Sequence, residues 1–168
     1  MNLPLLAAFL IFCQGLGALV GVVAVVWGEW AYFRAMRDGH IDRAERKHLD
    51  AIAHGLRWGM TLLLLATFAL VIVAYVAGGP QPGLMTDFWV LVIIALVVIY
   101  ASWALSRKKL SFAMGSALAF AGWWFIAFLF LGRIPGLSFG AMVAFFVVSA
   151  VIFYYVLRYA RLLSGTRA

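Results

Sequence analysis

Two polar residues in or beside the first apolar stretch of this chain are its leading candidates for chemistry. Gln14 lies inside the stretch, and Glu29 lies at or just beyond its end. In an apolar environment, an amide or a carboxylate is costly unless it is hydrogen-bonded, paired, protonated or hydrated. Two interpretations follow. In the first, Gln14 makes a structural hydrogen bond and Glu29 pairs with Arg57 or His54. In the second, Gln14, Glu29 and His54 line a route for protons or cations.

The three histidines, His40, His48 and His54, all lie in the segment that follows the first apolar stretch. Membrane-embedded b-type haem needs axial histidines deep in a helical bundle, so this placement disfavours a transmembrane haem carrier. His48 and His54 would point about 120° apart on a helix, which does not make a preformed metal site. We therefore predict no metal site and expect no resident cofactor.

Enzymatic motifs are also absent from the sequence. It contains no glycine-rich phosphate loop, no HExxH zinc pattern and no nucleophile elbow. It offers no pair of carboxylates suited to hydrolysis. The residue inventory therefore predicts no catalytic residue and favours a non-catalytic protein over an enzyme.

These residues must be positioned by membrane-spanning helices. The chain is 67% hydrophobic with a mean hydropathy of +1.06, and a helix needs about 20 apolar residues to cross a bilayer. Five stretches meet that requirement, at approximately 4–27, 58–78, 88–106, 111–131 and 140–160. We predict an all-α, polytopic membrane protein: a five-helix bundle that forms one domain over residues 1–168.

The basic residues predict the orientation of that bundle, because cytoplasmic flanks retain Lys and Arg. All of them except Arg133 fall in alternate connections, on one side: Arg34, Arg37, Arg43, Arg46, Lys47 and Arg57, then Arg107, Lys108 and Lys109, then Arg158, Arg161 and Arg167. This bias predicts an outer N-terminus and a cytoplasmic C-terminus in a bacterial inner membrane. The net charge of +7 therefore indicates contact with anionic headgroups rather than with nucleic acid.

The first two spans are predicted to extend beyond the membrane as a cytoplasmic hairpin over about residues 29–57. Asp38-Gly39 supplies a helix stop, and Asp42 with Glu45 resembles a capping box at the next helix start. A second helix running from about 43 to 77 would be about 50 Å long, more than a bilayer core of about 30 Å can cover. Several turns must therefore emerge or tilt along the surface.

Small residues follow one face of the first span and predict close helix packing. This packing seam consists of Gly17, Gly21, Ala24, Gly28 and Ala31, next to Gln14. A similar series on the fourth span consists of Gly115, Ala119 and Gly122. The seam could pack against that series or against the same seam of a second copy of the chain.

Residues 57–110 resemble the copper-resistance D-like group of small bacterial membrane proteins, which shares features with membrane protoporphyrinogen oxidases. The likeness rests on a basic segment entering an apolar span, the loop Gly83-Leu84-Met85-Thr86-Asp87-Phe88-Trp89, and a following span that ends at Arg107-Lys108-Lys109-Leu110. The resemblance implies a helical bundle. The intramembrane histidines that copper transport or haem chemistry would require have no counterpart here.

We therefore expect an accessory or scaffold subunit of an inner-membrane assembly, which forms homo-oligomers or binds other membrane subunits. The second expectation is a small transporter or channel for protons, cations or metal that uses Gln14 and Glu29. A redox or haem-pathway membrane enzyme is the third.

Overall fold

The described residues form five α-helices, as predicted. The computed structural model describes residues 2–35, 43–132 and 137–163, and these ranges contain no strand. The helices are α1 (Leu3–Ala35), α2 (Arg43–Val76), α3 (Thr86–Ser106), α4 (Phe112–Phe130) and α5 (Phe139–Leu163), with a single 3-10 turn at Pro82–Leu84. Each helix is long and apolar enough to cross a membrane, and each overlaps one predicted span. The all-α class and the five apolar helices are thus confirmed.

The helix ends follow from local sequence. Ser111 precedes α4, and its hydroxyl accepts a hydrogen bond from the Met114 backbone N–H at 3.3 Å. Gly78 follows α2 with φ +63°, a left-handed conformation that glycine adopts without steric cost. Lys108 takes the same role after α3 with φ +55°. A lysine therefore occupies a backbone conformation that suits glycine better.

α4 is the centre of the bundle, since it packs against α1, α3 and α5. α2 packs chiefly along α1, with which it makes the most extensive helix contact of the fold. The buried core accordingly surrounds α4, where Trp123 and Ile126 are almost fully enclosed beside Val90 and Ile94 of α3. The aliphatic and aromatic side chains on the outer faces of α2 and α5 are exposed, as is expected where lipid replaces water.

The packing seam of α1 is covered within the same chain. A Cβ atom built on Gly17 would lie 2.8 Å from the Gly59 carbonyl oxygen and 2.9 Å from the Leu63 backbone nitrogen of α2. Ala24 faces Gly55, and Gly28 faces Ile52, farther along the same helix pair. Small residues therefore let the backbones of α1 and α2 meet, and the partner of this face within the chain is α2.

The small residues of α4, one of the two partners considered for the seam, do not pack against it. Gly115 packs against Leu105, and Gly122 packs against Val98, so both face α3. Ala119 between them is half-buried, whereas Ala31 of the seam is buried. α4 meets α1 through a large residue instead: the Trp123 indole lies directly on Gly21, and any Cβ atom there would overlap the ring. Trp123 follows Gly122 by one residue, so the two project about 100° apart.

The predicted hairpin is described only in part. α1 continues to Ala35 and α2 begins at Arg43, so both arms reach into the predicted 29–57 segment. Its turn, with the proposed Asp38-Gly39 stop and the capping residue Asp42, lies outside the described residues. The same holds for His40.

Candidate functional site

Four polar or charged side chains are buried in the described part of the chain, namely Gln14, Glu29, Thr67 and Arg161. They form two pairs at different levels of the bundle. Glu29 and Arg161 lie at the basic end, which we define as the end where α1, α3 and α5 finish. Gln14 and Thr67 lie toward the opposite end. Glu29 and Gln14 are fifteen residues apart on α1, which corresponds to about 22 Å along the helix axis.

Arg161 and Glu29 form a buried ion pair between the last and the first helix. Arg161 Nη2 donates to Glu29 Oε2 at 2.8 Å and to Oε1 at 3.1 Å, and their side chains are 4% and 9% exposed. The same nitrogen lies 2.6 Å from the Ser116 hydroxyl oxygen on α4. One guanidinium group thus joins three helices.

Two aromatic rings lie beside the guanidinium. The Arg161 Cζ atom lies 4.9 Å from the centroid of the Phe112 ring and 5.4 Å from that of the Tyr32 ring. These two rings stack on each other with a centroid distance of 4.2 Å. The contacts supply cation–π attraction, which strengthens when the cation is removed from water. We call Glu29, Tyr32, Phe112, Ser116 and Arg161 the Arg161 cluster.

Helix periodicity explains why these residues meet. Glu29 and Tyr32 are three residues apart and share a face of α1, while Phe112 and Ser116 are four apart on α4. Arg161 is the last member of the inward face of α5, which otherwise consists of Met142, Phe146, Ala150, Phe153 and Leu157. That spacing of three and four residues was the sequence signal for its burial. The charge pattern alone placed Arg161 among the flanking basic residues, so its role in a buried pair was not predicted.

The predicted partners of Glu29 are therefore wrong, although an ion pair does form. Arg57 and His54 are both exposed on α2. His54 Nδ1 lies 2.8 Å from the carbonyl oxygen of Asp50, one turn earlier on its own helix. Their position follows from the hydrophilic outer face of α2, which points away from α1. Arg161 matches Glu29 better because it projects from the inner face of its helix.

Gln14 makes the structural hydrogen bond that was one of its two predicted roles. Gln14 Nε2 donates to Thr67 Oγ1 at 2.8 Å, and the Thr67 hydroxyl donates to the Leu63 carbonyl oxygen at 2.7 Å. Because the hydroxyl proton is committed to Leu63, its oxygen is free to accept, and this fixes the amide orientation of Gln14. Gln14 Oε1 receives no hydrogen bond from a described residue.

A cavity of about 210 Å³ adjoins this hydrogen bond. Its walls come from four helices and the turn before α3: Gln14, Thr67, Leu70, Pro82, Met85, Asp87, Phe88, Leu91, Leu129 and Phe130. Asp87 is exposed in the first turn of α3, where a negative charge interacts favourably with the helix dipole. Thr67 and Asp87 were not among the predicted site residues.

Among the described residues, no three His, Cys, Asp or Glu side chains are placed to hold a metal ion together. Cys13 is half-buried on α1. The side chain of His48 lies outside the described set. In chemical terms, the described residues offer a buried ion pair that joins helices and a small cavity with acceptor groups. Comparisons with protein-family models, curated proteins and solved structures found no match for this chain.

Proposed function

We propose that this protein is a non-catalytic accessory or scaffold subunit of an inner-membrane assembly, and that it binds its partner through the protruding ends of α1 and α2. The observation that carries this proposal is helix length. α1 and α2 have 33 and 34 residues, whereas α3 and α4 have 21 and 19. At 1.5 Å per residue the first pair is about 50 Å long, and about 20 Å of it exceeds a bilayer core of about 30 Å.

The excess length is at the basic end, in the two arms of the predicted hairpin. On α2, the exposed residues Lys47, Asp50, His54 and Arg57 follow one another at three- and four-residue intervals and therefore share one face. With the basic end in the cytoplasm, this face meets the aqueous phase beside anionic headgroups, to which each Lys or Arg is attracted by about 1 kcal/mol. It is polar, partly charged and not covered by a described residue of another helix.

The Arg161 cluster supports this role because it fixes the part of α1 from which the predicted hairpin leaves the bundle. Glu29 lies within the last two turns of α1, and its ion pair connects that segment to α4 and α5. Without this ion pair, the protruding ends of α1 and α2 would contact mainly each other and could tilt relative to α4 and α5. The ion pair gives the docking surface a defined direction.

Native mass spectrometry of protein released from its own membranes tests the proposal. We expect a hetero-complex for the wild type and its loss in the hairpin variant Lys47→Gln/Arg57→Gln. The matched control is Arg107→Gln/Arg158→Gln, which removes two exposed charges at the same end but outside the hairpin. The control should retain the complex. A wild-type protein that is only a free monomer or a homo-oligomer contradicts the proposal.

A small transporter is the second candidate, and the cavity beside Gln14 is the observation that favours it. Between Gln14 and Glu29, α1 is packed against α2 at Gly17 and against Trp123 at Gly21. Transport would therefore need a movement that opens this contact. A flux of protons or cations into proteoliposomes would support this candidate if the Gln14→Leu variant loses it and the Asp50→Asn variant keeps it.

A further inference from the structure

The polar side chains that line the cavity beside Gln14 offer a ligand acceptor groups. Gln14 is 8% exposed and lines the cavity, and its Oε1 atom accepts no hydrogen bond from a described residue. The Thr67 hydroxyl has no proton left to donate to a ligand, since it donates to Leu63 while its oxygen accepts from Gln14. The carboxylate of Asp87 is the other polar group on the wall. These side chains therefore favour a ligand that supplies hydrogen-bond donors.

The charges of the residues on the wall favour a cationic ligand over an anionic one. None of the described residues on the wall is Lys, Arg or His, whereas Asp87 carries a negative charge. Phe88 and Phe130 also line the cavity, and the face of an aromatic ring attracts cations. An anionic ligand would meet the Asp87 carboxylate with no described counter-charge. A bare divalent metal would find only one carboxylate and one amide oxygen, fewer than the six to eight oxygens that calcium prefers.

The remaining wall is apolar and limits the size of the ligand. Leu70, Leu91 and Leu129 line it together with the two phenylalanines. Its volume of about 210 Å³ lies below the roughly 300–1,000 Å³ of pockets that enclose drug-sized molecules. Water occupies about 30 Å³ per molecule in the liquid, so the cavity holds the equivalent of about seven waters.

We propose that this cavity binds a protonated amine with a short apolar body. The ammonium group donates hydrogen bonds to Gln14 Oε1 or to the Asp87 carboxylate, and the apolar part contacts the leucine and phenylalanine side chains. The ammonium comes from a soluble amine or from the headgroup of phosphatidylethanolamine, which presents the same chemistry. This site stands apart from the hairpin, so failure of the docking proposal leaves it untouched.

Fluorine NMR of 4-fluorobenzylamine tests the proposal on the full chain purified in dodecyl maltoside, an uncharged detergent. We expect a saturable change in the fluorine signal with wild-type protein. The isosteric neutral compound 4-fluorobenzyl alcohol should bind at least about tenfold more weakly, because its hydroxyl group cannot make the charge-assisted hydrogen bonds that the ammonium group makes. The anion 4-fluorobenzoate should not bind.

Two variants locate the site. Asp87→Asn changes an exposed residue, so folding should be kept while binding of the amine falls about tenfold. Gln14→Leu removes the deep acceptor and should act in the same direction. Asp50→Asn is the matched control, since it removes an exposed carboxylate from α2 at the other end of the bundle, and it should bind the amine like the wild type.

Competition with lipid then separates the two sources of the ammonium. Displacement of the amine by phosphatidylethanolamine but not by phosphatidylglycerol identifies the lipid headgroup as the natural occupant. Resistance to both lipids identifies a soluble amine. The proposal is overturned if 4-fluorobenzylamine shows no saturable binding, if the alcohol or the benzoate binds equally well, or if Asp87→Asn binds the amine as tightly as Asp50→Asn does.

Discussion

Arg161 of the last helix donates to both carboxylate oxygens of Glu29 on the first helix, across 132 residues of sequence. Both side chains are buried, so their contacts with water are replaced by contacts with each other and, for Arg161, with Ser116 and two aromatic rings. A buried ion pair need not be more stable than apolar residues of the same volume, but an arrangement that separates the two charges leaves each of them buried without its partner. In this bundle it specifies that α5 packs with its inward face toward α4 and that α1 lies within reach.

Removal of one partner should destabilise the protein more than removal of both. Glu29→Gln leaves the Arg161 guanidinium buried without its counter-charge, which costs about 3–5 kcal/mol in comparable buried pairs. The double variant Glu29→Leu/Arg161→Met replaces the pair with apolar side chains and should recover most of that loss. Thermal unfolding in dodecyl maltoside, followed by circular dichroism, measures both effects.

Asp50→Asn serves as control for this series, because Asp50 is an exposed carboxylate on α2. It should melt with the wild type. Equal melting temperatures for Glu29→Gln and the wild type would show that the ion pair does not form in the folded protein.

The contact between Gly21 and Trp123 should be the most sensitive point of the helix packing. Gly21→Leu places a branched side chain where the indole already lies, and overpacking of this kind typically costs about 1–3 kcal/mol. Gly15→Leu is the matched control, since no atom approaches a Cβ atom built at Gly15 within 4 Å. We expect a lower melting temperature for Gly21→Leu than for Gly15→Leu. Equal melting temperatures for the two variants would contradict the contact between Trp123 of α4 and Gly21 of α1.

The sequence predicted the elements of this fold well, because hydropathy and length determine membrane spans almost directly. The seam at Gly17 and Gly21 was also identified from small-residue spacing. Its partner was not, since such spacing shows only that another backbone can approach and not which one. The choice of α2 depends on Gly59 together with Gly55, whose four-residue spacing on α2 was not used as a packing signal.

The site was predicted less completely than the helices, for a related reason. Glu29 required a partner, and nearby residues in sequence, Arg57 and His54, were the natural candidates. Arg161 was treated as one more flanking charge, since positive-inside statistics apply to all of the basic residues alike. Arg161 differs from the exposed Arg158 only in its position on α5: it follows the inward-facing Leu157 by four residues and therefore shares its face. Non-local pairing of this kind depends on how the helices are arranged, and a helix pattern does not contain that information.

Lys108→Gly should stabilise the protein. Lys108 has φ +55°, a left-handed conformation that costs an ordinary L-residue about 1 kcal/mol or more, whereas glycine adopts it freely. Lys108→Gln is the control, because it removes the same charge and keeps the strained backbone. We expect the melting temperature to rise for the glycine variant alone. A rise of the same size in both variants would attribute the effect to charge instead.

The proposed orientation can be measured with cysteine labelling. In a Cys13→Ala background, Ser106→Cys marks the basic end and Leu84→Cys marks the opposite end, and both positions are exposed. A membrane-impermeant maleimide added to cells with a permeabilised outer membrane should label Leu84→Cys at once and Ser106→Cys only after lysis. The reverse pattern would place the N-terminus in the cytoplasm and would put the hairpin on the outer side.

The hydrogen bond between Gln14 and Thr67 should contribute a measurable coupling energy. Thr67→Val conserves shape but removes the acceptor of Gln14 Nε2, and hydrogen bonds between membrane helices contribute about 0.5–1.5 kcal/mol. Thr67 also bonds to a carbonyl one turn earlier on α2, so Ser102→Ala, which removes an equivalent bond within α3, is the matched control. A double-mutant cycle with Gln14→Leu isolates the contact between α1 and α2. Additive effects of Gln14→Leu and Thr67→Val on the free energy of unfolding would show that the two side chains do not interact.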